Sequence, residues 1–272
     1  MPDLDYRQLE ILDKMGIDIW RLRHRQSGEN AAQADNLADN LADNPADDRI
    51  DDDAEADSKS VEQLIEPKSA IALERQPELT VDALNTLDNV AMEINRCQRC
   101  QLHATRIKAV PGVGSLQAQW MFIGEAPGQN EDQQGLPFVG RAGQLLDAMI
   151  AALRMQRSGV FIANVIKCRP PANRDPVPEE IAECEPYLHR QLALVKPKVI
   201  VALGRISAQA LLKTSESLGS LRGKVHQYGP SNTPLVITYH PAYLLRSPQQ
   251  KSKSWEDLLL AKSVVDSILH EN

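Results

Sequence analysis

The chain has 272 residues, 42% of them hydrophobic, which is enough for one large domain or two small ones with a real core. Its longest apolar runs fall far short of the roughly 20 residues that span a bilayer, and the start, MPDLDYRQLE, lacks a basic patch followed by an apolar segment, so a membrane or secreted protein is not expected and a cytoplasmic one is. The net charge of −7 is uneven: Gly28–Glu66 carries 13 acidic and 2 basic residues, whereas Pro67–Asn272 carries 23 basic and 19 acidic, a mild excess that allows nucleic-acid binding without arguing for it.

In chain order, Leu4–Arg25 reads as an amphipathic helix, with Leu9, Leu12, Met15, Ile19 and Leu22 at spacings of three and four. It is either docked on the main domain or free to bind a protein partner. Residues 1–27 form this first unit. Residues 28–80 form an acidic low-complexity linker with tandem Asn-Leu-Ala-Asp repeats, expected to be mostly disordered because few apolar groups offset the entropy of ordering. Residues 81–272 are expected to be the folded domain. Val81–Arg96 resumes helical periodicity and runs into Cys97-Gln-Arg-Cys100. Strands are then expected at Trp120–Gly124, Gly159–Ile166, Lys198–Leu203 and Leu235–Tyr239, alternating with helices that include Pro178–Leu194, Ile206–Leu212 and Trp255–Leu269. That alternation implies a three-layer α/β/α fold with a four-stranded, mainly parallel sheet.

The loop after Trp120-Met-Phe-Ile-Gly124 is far longer than a strand-to-helix connection needs, and such excess usually carries function. Three strand ends carry Glu125, then Asn164 with Lys167, then His240. An acid, an amide and an imidazole at the carboxyl ends of parallel strands are the layout of a site.

The four cysteines fall in one C-x2-C pair, Cys97 and Cys100, and two dispersed positions, Cys168 and Cys184. In a cytosolic protein such a set fits a tetrathiolate centre better than disulfides. Spacing leaves zinc and iron–sulfur both open; a single tight pair with two dispersed cysteines suits a cubane cluster somewhat better. Such a centre would staple the helix before Cys97 to the sheet.

The motifs taken together, GEAPGQNED with GLPFVGRAGQLLD, then NVIKCRPPANRDP, then HPAYLLR, with the cysteine spacing, closely resemble family-4 uracil-DNA glycosylases, the iron–sulfur branch of that superfamily. The similarity runs from about Ile94 to the C-terminus. The resemblance implies an enzyme that flips deoxyuridine out of DNA, single- or double-stranded, and hydrolyses its N-glycosidic bond. It implies a 4Fe–4S cluster on Cys97, Cys100, Cys168 and Cys184. It also implies a uracil pocket lined by Gly124, Glu125 and Ala126, stacking by Phe138, edge recognition by Asn164 and a hydrogen bond from His240; Glu125, Asn164 and His240 are the expected catalytic set. Leu244 and Leu245 read either as core or, as the resemblance implies, as the loop that the family uses as a wedge in the vacated base stack.

One departure concerns water activation. Other branches carry an aspartate just after the glutamine of the first motif, and this chain has Ala126 there, so Glu125, Glu131 and Asp132 are the remaining carboxylates nearby. Two rival readings stand beside the resemblance. One is a relative trapped covalently on the abasic sugar, disfavoured because no basic KRRIH-type insert precedes HPAYLLR. The other is a non-enzymatic iron–sulfur module that binds DNA or serves replication and repair.

Overall fold

The computed structural model describes residues 86–270. The expected N-terminal helix, the acidic linker and the first residues of the helix expected from Val81 lie outside the described residues.

The first described helix, α1 (Leu87–Arg96), starts at Thr86, whose hydroxyl accepts from the Asn89 N–H at 3.2 Å. The chain then lays down β1 (Val113–Gly114), β2 (Trp120–Gly124), α2 (Gln129–Gln134), α3 (Arg141–Ala152), β3 (Phe161–Asn164), α4 (Pro178–Val195) and β4 (Val199–Leu203). It finishes with α5 (Arg205–Leu212), α6 (Leu218–Leu221), β5 (Val225–Tyr228), β6 (Thr233–Thr238), α7 (Pro241–Arg246) and α8 (Lys251–His270). Among the described residues no helix is long and apolar enough to cross a membrane.

The sheet order is β1-β3-β2-β4-β6-β5. The four central strands are parallel and coincide with the four expected from sequence. The expectation of four strands in all is corrected to six, because β1 and β5 add antiparallel edges. Neither edge carries an apolar run. β1 is only two residues long, and β5, Val-His-Gln-Tyr, alternates between exposed and half-buried. The central strands read clearly because every residue of β2 and β4 is buried, so both faces demand apolar side chains.

Side chains leave a strand alternately to its two faces, and the core divides accordingly. Phe122, Val199, Val201 and Val236 pack with Leu146, Met149 and Ile150 of α3 and with Trp255, Leu258 and Ala261 of α8. Met121, Ile123, Ile200, Ala202 and Ile237 pack on the other face with Leu188 of α4 and Ala208 and Leu211 of α5. The result is the expected helix–sheet–helix sandwich. A third, smaller cluster of Val90, Ile94, Ala109 and Tyr187 fixes α1 against α4.

From β2 the chain crosses to β3 on one side, and from β4 to β6 on the other. The carboxyl ends of β2 and β4 therefore flank the point where the winding reverses, and open α/β sheets leave a crevice there.

Candidate active site

A cavity of about 470 Å³ opens at that crevice, within the range of small-ligand sites. Glu125, Ala126, Phe138, Asn164 and His240 all line it, so one place gathers residues spread over 116 positions of sequence. A roomier groove of about 770 Å³ runs between the end of α4 and the β5–β6 turn, and none of these residues lines it.

Asn164 ends β3 and pairs in register with Gly124 of β2. It is 1% exposed, and its Oδ1 has no hydrogen-bond partner. A buried acceptor left unpaired costs about 1–3 kcal/mol, so a fold that keeps one holds it for a donor from outside.

Gly124 lets the two recognition groups meet. A Cβ there would stand 2.5 Å from Asn164 Oδ1 and 2.6 Å from Phe138 Cζ, closer than real carbon atoms come. Both neighbours are buried side chains with little room to yield. Gly124→Ala should therefore cut turnover at the cavity by at least about tenfold while lowering Tm by only a few degrees, since overpacking costs about 1–3 kcal/mol. Wild-type turnover in that variant would show that the close approach has no role.

Phe138 sits in the left-handed region with φ of 51°, a conformation that needs support from its surroundings. Glu131 supplies it. Its Oε1 accepts from the Val139 and Gly140 N–H groups at 2.9 and 3.1 Å, and its Oε2 accepts from Gly128 N–H at 3.1 Å. Arg157 adds a clamp, donating to the Pro137 carbonyl at 2.5 Å and pairing with Asp147. The Phe138 ring lies 5.6 Å from the His240 ring, tilted by 32°.

His240 caps α7, and its Nδ1 accepts from Ala242 N–H at 3.1 Å. The ring proton is thereby placed on Nε2. Burial, with Arg246 assisting and Glu131 opposing, lowers its pKa to about 4, so the imidazole is neutral near pH 7 and offers one N–H. Gly204, at φ of 93°, closes the back of this residue; a Cβ there would lie 2.9 Å from His240 Cβ.

The three carboxylates near the first motif differ in what they bond. Glu131 lines the cavity, but both its oxygens are taken by the backbone N–H groups of the loop. Asp132 is 2% exposed and turned away, accepting from Ile107 N–H at 2.9 Å and Lys108 N–H at 3.4 Å. Glu125 lines the cavity, and burial, with Asp175 adding and Arg205 opposing, pushes its pKa up to about 7. Ala126 lines the same wall without an ionisable group.

The structure corrects one placement and decides another. Lys167 is not at the rim with Asn164; it is 1% exposed and points inward, and burial lowers its pKa to about 8. Leu244 is 0% exposed and belongs to the core, while Leu245 and Tyr243, each 37% exposed, face solvent. Tyr243 stacks on Tyr239 at 5.1 Å, and Arg222 lies 4.3 Å over Tyr239, which braces α7. Sequence reasoning missed the wall formed by Arg174 and Asp175, although the motif that holds them was recognised. Arg174 forms a two-pronged pair with Glu180 at 2.6 and 2.9 Å, and Asp175 pairs with Arg205 at 2.8 Å.

The cysteines meet at a second place. Cys97 at the end of α1, Cys100 just after it, Cys168 after β3 and Cys184 inside α4 all line one cavity. None is in a disulfide. Arg106 donates to Cys168 Sγ at 3.0 Å, and the Lys167 N–H to Cys184 Sγ at 3.4 Å. Three cationic side chains, Arg99, Arg106 and Lys167, line this thiol cavity and suit an anionic thiolate set. Among the described residues no three His, Cys, Asp or Glu groups stand close enough to hold one metal ion, as zinc at about 2.3 Å from each sulfur would require. Four thiols around one cavity are the donor set that a thiolate-held metal centre needs.

Residues 111–260 match the Uracil DNA glycosylase superfamily. The chain belongs to that superfamily. A type-4 uracil-DNA glycosylase from Archaeoglobus fulgidus is 43% identical over 181 residues, which is 64% of this chain and 90% of that protein. One from Saccharolobus solfataricus is 44% identical over 191 residues, 68% of this chain and 88% of that protein. One from Pyrobaculum aerophilum is 46% identical over 173 residues, 61% and 88% of the two chains. The resemblance drawn from the motifs thus names the same branch as these relatives, and the superfamily member described here is an enzyme, a hydrolase of the N-glycosylase kind.

Proposed function

We propose that this enzyme flips deoxyuridine out of DNA, hydrolyses the bond between uracil N1 and the sugar C1′, and leaves an abasic site for base excision repair in the cytoplasm. The observation that carries this reading is the buried, unpartnered Oδ1 of Asn164 at the wall of the cavity. Uracil has an N–H at position 3 and a carbonyl at position 4. An amide accepts from the first with Oδ1 and donates to the second with Nδ2. Cytosine lacks the N3 proton and presents an amine at position 4, which orphans both amide groups at about 1–3 kcal/mol each. Flipping is required because the sugar carbon is out of reach inside the stacked duplex.

The chemistry follows from the other walls. Phe138 offers a π-face to the flipped base, worth about 1–3 kcal/mol. As the C1′–N1 bond breaks, its electron pair passes to the uracil ring and positive character grows on the sugar. The neutral His240 donates its Nε2–H to the pyrimidine oxygen nearest the sugar, where that charge collects. Glu125, in its carboxylate form, accepts a proton from the water that attacks C1′. The water oxygen stays on the sugar, and the uracil anion is protonated on release. Arg246 at the rim meets the backbone phosphates, and Leu245 is an exposed residue able to enter the gap left by the base.

Cys97, Cys100, Cys168 and Cys184 would hold a 4Fe–4S cluster. When bound, that group supplies a cross-link between α1, β3 and α4, and no step of the hydrolysis passes through it.

The direct test is uracil release from a uracil-containing oligonucleotide by protein purified without oxygen. Alkali-labile sites at the uracil position support the reading. Tight DNA binding with no release would instead favour a non-enzymatic DNA-binding module.

A pH profile tests the assignment of Glu125. Because its pKa stands near 7 and the carboxylate is the active form, kcat/KM should rise about tenfold per pH unit below 7 and level off above it. His240, with its pKa near 4, keeps its proton on Nε2 and no second proton throughout that range. Glu125→Gln should remove the rising limb, and Asp175→Asn should move it to lower pH. A flat wild-type profile from pH 5 to 8 would refute the assignment.

A further inference from the structure

Lys167 links the walls of the two cavities, its side chain bonded to Asn164 and its backbone to Cys184. It is 1% exposed, donates to the Asn164 carbonyl at 2.8 Å and donates to Gln191 Oε1 at 2.7 Å. Gln191 is in turn fixed by donating to the Pro111 carbonyl at 2.5 Å. The same lysine lines the cysteine cavity.

A buried ammonium away from water costs several kcal/mol unless an opposite charge is near. Among the described residues no carboxylate pairs with it. Glu183, the acid that lines the cysteine cavity, is already paired with Arg99 at 2.9 Å. Asn164 and Gln191 supply neutral acceptors for two of the three N–H donors. Neither acceptor carries charge, and the thiol side, where the Lys167 backbone N–H donates to Cys184 Sγ, is the source of countercharge that the cavity lining offers.

We propose that Lys167 is a positioning residue that ties the uracil-reading amide to the cysteine centre: it pins the Asn164 backbone on one side and takes its countercharge from the thiolate-held group on the other. The inference rests on the function proposed above and adds that the two cavities are energetically coupled. Coupling of this kind is reciprocal, so a change at the cysteine centre alters uracil binding and uracil binding alters the centre.

The test uses the full chain with its cluster. Lys167→Met should lower single-turnover uracil excision by about 10- to 100-fold. It should also lower the midpoint potential of the cluster, because a positive charge beside it has gone. The deciding comparison is Lys167→Met in an Asn164→Ala background. If Lys167 acts through Asn164, the double variant excises no more slowly than Asn164→Ala alone. If the losses multiply, or the potential stays at the wild-type value, the inference is overturned. Should Lys167→Met fail to fold, the wild-type protein still decides it: saturating free uracil must shift the midpoint potential, and no shift overturns the coupling. Wild-type protein that releases no uracil sinks the function itself and this inference with it. Active wild-type protein alongside an unaltered Lys167→Met sinks the inference alone.

Discussion

Asn164→Ala should lower uracil excision by about 10²–10³-fold at saturating substrate, the usual cost of removing one preorganised polar group from a reacting site. The same variant should be at least as stable as the wild type. Oδ1 has no partner in the free protein, so alanine removes a buried unpaired acceptor at the expense of a small void. The backbone of residue 164 keeps its place in β3 opposite Gly124, and its carbonyl keeps the bond from Lys167. A thermal melt and a single-turnover assay on one preparation measure both effects. Activity lost with Tm unchanged or raised is the signature of a group kept for its ligand, at a cost to the fold. A Tm lowered by 5 °C or more would mean that the amide supports the fold, and the central argument for uracil recognition would fail.

The second large effect is expected at the cysteines. Cys184→Ala should leave the protein with little or no iron and lower its Tm by about 10 °C or more. The four thiols lie on α1, the segment after it, the segment after β3, and α4, so a cluster among them closes large loops and holds α1 to the sheet. Losing several kcal/mol of such cross-linking, at about 2–4 °C per kcal/mol for a domain of this size, gives that fall. Cys97→Ala should behave alike, because one missing ligand disables the whole centre. Iron content, visible absorbance and a melt on each variant settle the matter. Full absorbance and an unchanged Tm in both would mean that these cysteines are ordinary thiols.

Much of this was legible in the chain. The runs Trp120–Gly124 and Lys198–Leu203 announced the central strands because parallel strands are buried on both faces and need apolar residues throughout. The edge strands stayed hidden for the opposite reason: β5 is half-exposed and β1 too short to show a pattern. The motif residues Glu125, Phe138, Asn164 and His240 were named from sequence, and they line one cavity. The roles of Glu131, Asp132, Lys167 and Leu244 could not be read that way, because each depends on which way a side chain turns.

Composition and spacing by themselves determined the layered α/β class, the four parallel strands and the set of residues at the strand ends, and the resemblance of the ordered motifs to a known family pointed to the superfamily. These are properties of local pattern, and local pattern is written along the chain. Only the tertiary structure decided which carboxylates at the cavity are already bonded, which leucine is core, and that a buried lysine stands between the amide and the thiols. Those outcomes depend on contacts such as Lys167 with Gln191 and Glu131 with Val139, where burial and the geometry of distant partners, not the identity of the neighbours in sequence, set what each group can do.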